Sequence, residues 1–234
     1  MASIRENLES VRERIAAAAH RAGRGPEEIR LVAVSKTQSP ERMAEAIEAG
    51  AGILGENRVQ EARDKREAMG PVVADRAQWH LIGTLQRNKA RTVPGLFNVV
   101  ETLDSLPLAK ELARRMRAFG EIPLGVFLQV NTGEESQKGG VAPAEVLGLL
   151  ERVSRLEALR VDGFMCIPPL GRGPEESRPH FQLLRRLRGE AQLKGFSTVQ
   201  ELSMGMSADF EIAIEEGATL VRIGTAIFGP RPGR

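Results

Sequence analysis

Lys36 closes the run Leu31-Val32-Ala33-Val34-Ser35-Lys36. Strand alternation puts Val32, Val34 and Lys36 on one face. An amine in line with two inward valines is costly to bury unless something makes use of it; a strand-end lysine reaching water is the plain alternative. Far downstream, Ser203-Met204-Gly205-Met206-Ser207 lies between an apolar run and a helical pattern. Its serines offer hydroxyls, Gly205 allows close backbone approach, and the following helix aims free N–H groups at the same point. Arg222-Ile223-Gly224-Thr225 supplies a second turn of this kind, with Leu220, Arg222 and Gly224 on one strand face. Ordinary turn and cap chemistry explains each turn taken singly. Together, an amine, a guanidinium and a phosphate cradle suit pyridoxal 5′-phosphate (PLP), whose aldehyde, ring nitrogen and phosphate need those three partners. An arginine stays protonated, so it donates to the ring nitrogen without readily protonating it. The ring is then a weaker electron sink.

These residues need elements that bring them together. Eight apolar runs punctuate the chain: "LVAVS", "GILGE", "WHLIG", "FNVVET", "PLGVFLQVN", "LRVDGFMCI", "TVQELSM" and "TLVRIG". Each is followed by a helical pattern, "QRNKARTVPG" among them, except the last, which runs into a tail. Strict alternation predicts parallel strands with crossover helices. Eight such units predict an α/β fold of the (β/α)8 TIM-barrel type. An open doubly wound sheet is the alternative, but no G-x-G-x-x-G follows the first strand. Ahead of the strands, Ser3 reads as an N-cap and Ile4, Leu8, Val11 and Ile15 as an apolar stripe. The chain thus reads as one domain over 1–234, with a helix in 1–24 and the barrel in 30–230. In a barrel, functional residues belong at the C-terminal strand ends. Lys36, Asn57, Gly83, Asn131, Met165, Ser203 and Arg222 fall there or just beyond, and Lys138 falls in the loop after strand 5. Lys65, Lys89, Lys110 and Lys194 stand in charged or helical contexts and read as surface residues.

Composition excludes several classes. One cysteine, Cys166, rules out an intrachain disulfide, and the three histidines show no ligand spacing, so no metal site is expected. Cys166 itself reads as a small buried residue. A net charge of +2 argues against a nucleic-acid partner. No apolar run reaches the length of a membrane span, and the N-terminus lacks the apolar core of a signal peptide. A cytoplasmic protein is expected.

The motifs "LVAVSKTQ", "GENRVQEARDK", "WHLIGTLQRNKA", "VNTGEESQKGG", "GFMCIPP", "LSMGMSADFEIAI" and "VRIGTAIFG" resemble those of the pyridoxal phosphate homeostasis protein family. They occur in order from about residue 30 to the end. The resemblance implies an alanine-racemase-like barrel that binds PLP and influences vitamin B6 balance. It implies a Schiff base on Lys36, Arg222 at the pyridine nitrogen and Asn57 beside the ring. It also implies a phosphate held by Ser203, Gly205, Met206, Gly224 and Thr225; Met165, by its place at the end of strand 6, is expected to line the same mouth. Arg58 stands where that family often has an aromatic residue.

The competing expectation is a related racemase or decarboxylase acting on amino acids. The chain has no tyrosine, whereas the related racemases use one as the second acid–base group. The residues after "GTAI" leave no room for the β-domain of such enzymes. His80, in "WHLIG", is the one histidine near a strand end. A non-catalytic PLP carrier, monomeric, passing its cofactor to apo PLP enzymes, is therefore the leading expectation. In that reading Lys138 assists release by attacking the Lys36 linkage.

Overall fold

The computed structural model describes residues 2–120, 123–135, 137, 139–169, 171 and 173–230. Its first helix, α1 (Ile4–Arg21), starts where the sequence predicts. Ser3 Oγ accepts from the Glu6 N–H at 3.2 Å, and Glu6 Oε2 accepts from the Ser3 N–H at 2.7 Å. This reciprocal cap satisfies two otherwise unpaired amides. Ile4, Leu8, Val11 and Ile15 are all buried.

The eight strands are β1 (Arg30–Val34), β2 (Ile53–Glu56), β3 (Gln78–Leu81), β4 (Val99–Leu103), β5 (Leu124–Val130), β6 (Leu159–Cys166), β7 (Glu201–Ser203) and β8 (Leu220–Ile223). All pair in parallel, in chain order, and β8 closes on β1 with Val32 opposite Arg222. The helices α2 (Pro40–Glu48), α3 (Val59–Met69), α4 (Pro71–Ala74), α5 (Leu106–Phe119), α6 (Val146–Val153), α7 (Arg178–Leu193), α8 (Phe210–Glu215) and α9 (Thr225–Phe228) follow in sequence. Parallel strands are buried on both faces, which explains their nearly continuous apolar runs.

Alternation divides the core in two. Val32, Ile53, Val99, Phe127, Met165 and Leu220 form a separate apolar cluster on one face of the strands. These side chains plug the barrel. The other face, with Leu54, Trp79, Val100, Val126 and Phe164, joins the larger cluster that includes the helices. Fully burying a side chain such as Phe127 stabilises the fold by roughly 1.5–3 kcal/mol.

Four expectations need correction. The segment after β3 is a 3-10 helix, Arg87–Thr92, rather than an α-helix; among its residues only Ala90 is buried, so no apolar stripe holds a longer helix against the sheet. The chain after β8 forms the short helix α9, not a plain tail; Arg42 on α2 donates to the Phe228 carbonyl there. β1 ends at Val34, so Lys36 lies in the turn beyond the strand. Lys65 is not a surface residue: it shares the buried face of α3 with Val59 and Ala62 at three-residue spacing. Lys89, Lys110 and Lys194 are exposed, as expected.

Candidate functional site

A chain of buried polar groups crosses the barrel interior above the apolar plug. Arg222 follows Leu220 by two residues and therefore shares its inward face. Its Nη1 donates to Ser203 Oγ at 2.6 Å and its Nη2 to the Cys166 carbonyl at 2.8 Å. Ser203 Oγ in turn donates to Glu101 Oε2 at 2.5 Å, and Glu101 Oε1 lies 2.6 Å from His80 Nδ1. Glu101 is fully buried, while His80 and Arg222 are 1% and 3% exposed. Burial alone would raise the Glu101 carboxyl. The His80 hydrogen bond, the neighbouring His80 and Arg222 charges and the Ser203 hydroxyl outweigh it and hold the group below its usual range. Glu101 is thus the buried counter-charge of Arg222, 4.0 Å away. The sequence reading missed it, although its two-residue offset from Val99 marks the same inward face.

The two phosphate-type turns lie beside Arg222. Gly205 has φ +88°, and a Cβ there would sit 2.6 Å from Ala213 Cβ and 2.8 Å from Phe210 Cα. Only glycine fits this turn without displacing α8. The Gly205 carbonyl accepts from the Arg222 N–H at 3.0 Å, which fixes the turn to β8. Asp209 braces the same turn: its Oδ1 accepts from the Met206 N–H at 2.7 Å and its Oδ2 from Ser177 Oγ at 2.8 Å. Met206 is 39% exposed at the rim. Gly224 packs against Val34, and Thr225 is exposed at the first residue of α9.

The sequence-predicted residues thus separate into a floor and a rim. Arg222 and Ser203 belong to the floor, and Met165 to the apolar plug beneath it. The Ser203 hydroxyl is engaged between Arg222 and Glu101, inside the barrel. Gly205, Met206, Gly224 and Thr225 belong to the rim. Lys36 is half-buried, two residues beyond Val34. Asn57 is half-buried just past β2, and Gly83 packs on its backbone so closely that a Cβ would lie 2.3 Å from the Asn57 carbonyl oxygen. A cleft of about 540 Å³ opens beside these two residues and extends to Arg58, Arg63, Lys89 and Arg91.

His80 points into the barrel interior and engages Glu101. Cys166 is buried, as expected, and burial pushes its thiol up to about 12 despite the opposing charge of Arg222. Lys138 lies outside the described residues, so its placement does not enter the site. Among the described residues no cluster of histidine, cysteine, aspartate or glutamate has the makings of a metal site. No described helix is long and apolar enough to cross a membrane.

A closed parallel barrel with this floor defines the class. The sequence matches the family described as alanine racemase, N-terminal domain, over residues 5–232. Within that class the similarity is more particular. The pyridoxal phosphate homeostasis protein of Aquifex aeolicus (strain VF5) is 45% identical over 227 residues, 97% of each chain. That of Escherichia coli (strain K12) is 44% identical over 235 residues, covering 99% of this chain and 98% of the relative. The structure of PipY from Synechococcus elongatus PCC7942 with PLP bound superposes with a TM-score of 0.84 at 35% identity, over 97% of this chain and 100% of that one. The chain belongs to the pyridoxal phosphate homeostasis protein family.

Proposed function

We propose that this protein binds PLP at the C-terminal mouth of its barrel, holds it as a Schiff base on Lys36, and serves vitamin B6 homeostasis rather than catalysis. One observation carries the reading. A buried guanidinium, that of Arg222, is pinned from two sides beneath the mouth, on the strand adjacent to the one that delivers Lys36. The residues fit the cofactor. Lys36 offers an amine at the rim. Arg222 offers N–H donors whose direction is set by Ser203 and Cys166 and which do not readily give up a proton. The Gly205 turn, with no space for a Cβ, and the Gly224–Thr225 turn offer backbone and hydroxyl donors to a phosphate. Asn57 stands at the edge for the ring.

Bound PLP supplies an aldehyde that condenses with an amine, with loss of one water. The chain's own groups serve retention better than turnover. Acid–base catalysis at a substrate carbon needs a second positioned proton carrier. The chain has no tyrosine, and the His80 ring is buried with Nδ1 engaged by Glu101. The relatives carry homeostasis names rather than enzyme names. The proposal extends to a monomer that passes PLP to apo enzymes.

The test is to load the purified protein with PLP, reduce it with borohydride and map the adduct. The expected product is a single tag on Lys36. Labelling confined to exposed lysines such as Lys89 or Lys194 refutes the site. Racemisation of alanine or serine at ordinary enzymatic rates, about 1–1000 per second, refutes the carrier reading.

A further inference from the structure

Lys36 is delivered by a turn rather than by a strand. The residues on both sides of Lys36 are nevertheless fixed, by one ionic cluster on the outside of the barrel. Lys65 Nζ on α3 donates to the Ser35 carbonyl at 2.9 Å and lies 2.9 Å from Glu56 Oε1 and 2.6 Å from Glu61 Oε1. Ser35 Oγ donates to Glu56 Oε1 at 2.6 Å. The Thr37 N–H donates to Glu61 Oε1 at 2.7 Å. These bonds hold residue 35 twice and residue 37 once, on either side of Lys36. Glu56 is also the residue before Asn57, so the cluster joins two loops that carry the candidate site.

Three features separate this cluster from a surface ion pair. Its centre is buried: the Glu56 and Lys65 side chains are 0% and 9% exposed. It holds a backbone that the sequence does not favour. Thr37 has φ +66°, a left-handed conformation that β-branched residues rarely adopt, so an outside contact must maintain it. It also carries a cost. Glu56 Oε2 is buried with no hydrogen-bond partner among the described residues, and burial pushes the Glu56 carboxyl up against the pull of Ser35 and Lys65. Buried ionic groups are weak contributors to stability compared with apolar packing of the same volume. Retention of one here points to geometry.

We infer that Lys65 and Glu61, with Glu56, are positioning residues that set the Lys36 turn for covalent capture of PLP. The inference rests on the PLP reading above. In capture the Lys36 amine adds to the aldehyde carbon, a C=N bond replaces C=O and one water leaves. The cluster's bonds run to the backbone on either side of Lys36, so its effect falls on the approach of the amine rather than on affinity for the ring and phosphate.

The experiment compares the parent with Glu61→Ala, Glu61→Gln and Lys65→Met. Two quantities are read: the rate at which PLP becomes reducible onto Lys36, and the affinity for 4′-deoxypyridoxine 5′-phosphate, which has no aldehyde. Small misplacements of a reacting group cost orders of magnitude in rate, so Glu61→Ala is expected to slow capture about tenfold or more. Analogue affinity should stay within about twofold. Glu61→Gln retains an oxygen for the Thr37 N–H and should recover most of the rate, as an inert change of surface charge would not. Lys65→Met should reproduce the Glu61→Ala pattern. Since the Glu61 side chain is 26% exposed, its variants decide the matter if Lys65→Met does not fold. Unchanged capture in Glu61→Ala overturns the inference. So does a parallel loss of analogue affinity, which would mean the cluster holds the whole pocket. A parent protein with no reducible adduct on Lys36 overturns the PLP reading itself, and this inference falls with it.

Discussion

Replacing Glu101 by glutamine tests the electrostatic floor of the barrel. The change keeps the side-chain shape and leaves an oxygen to accept from Ser203, while the amide nitrogen takes the place of Oε1 2.6 Å from His80 Nδ1, so the charge is lost together with the acceptor on that side. Arg222 Nη1 lies 4.0 Å from Glu101 Oε2, with Ser203 Oγ bridging at 2.6 and 2.5 Å. Two unit charges at that separation attract by about 4 kcal/mol at an effective dielectric constant near 20. Removing one member of a buried pair typically costs about 3–5 kcal/mol, because the other charge is left uncompensated. An unfolding entropy of roughly 2.1 cal/mol/K per residue implies about 0.5 kcal/mol/K for a chain of this length. Glu101→Gln should therefore lower Tm by about 6–10 °C at neutral pH. Calorimetry of the unliganded protein checks this. The pH dependence supplies a second reading. Because the folded protein holds the Glu101 carboxyl below its ordinary 4.5, the contribution is present above pH 4.5 and is lost as pH falls through the lower folded value. The gap between parent and variant should narrow in acid. A Tm within about 2 °C of the parent at pH 7, or a gap that widens below pH 4.5, would refute the counter-charge argument.

Arg222→Ala should weaken PLP retention about tenfold or more, the worth of a charge-assisted hydrogen bond of roughly 1.5–3 kcal/mol. The Arg222→Ala/Glu101→Gln double variant removes the stranded carboxylate, and equal PLP affinity in a folded double variant would remove Arg222 from the site. Cys166, with its thiol pushed up to about 12, should react with a disulfide reagent at pH 8 far more slowly in the native protein than after denaturation; equal rates would show that the thiol is not buried. Gly205→Ala places a Cβ 2.6 Å from Ala213 Cβ at φ +88°. Such strained conformations cost about 1–3 kcal/mol before any clash, so the urea midpoint should fall with the slope unchanged. An unaltered midpoint would show that the turn accommodates a side chain.

The sequence carried the architecture because strand and helix periods are local properties. Eight β-rich runs separated by helical patterns leave few closed arrangements, and the Ser3–Glu6 cap and the Ile4/Leu8/Val11/Ile15 stripe each lie within a few turns of chain. The positions of Lys36, Asn57 and Arg222 at or just beyond strand ends were legible for a related reason: once a barrel is inferred, its strand ends name the mouth. Lys65 was misread because "EARDKRE" is dominated by charge, although Val59, Ala62 and Lys65 keep helical register and a charged residue on that face needs partners. Those partners, Glu56 and the Ser35 carbonyl, arrive only when β1, β2 and α3 pack together. Closure alone decides the polar floor. Glu101 and Ser203 are 102 residues apart in the chain, and no local pattern relates them. Parallel pairing around the ring sets β3 and β4 facing β7 and β8 across the interior. The low dielectric there then requires each buried charge to find its counter-charge.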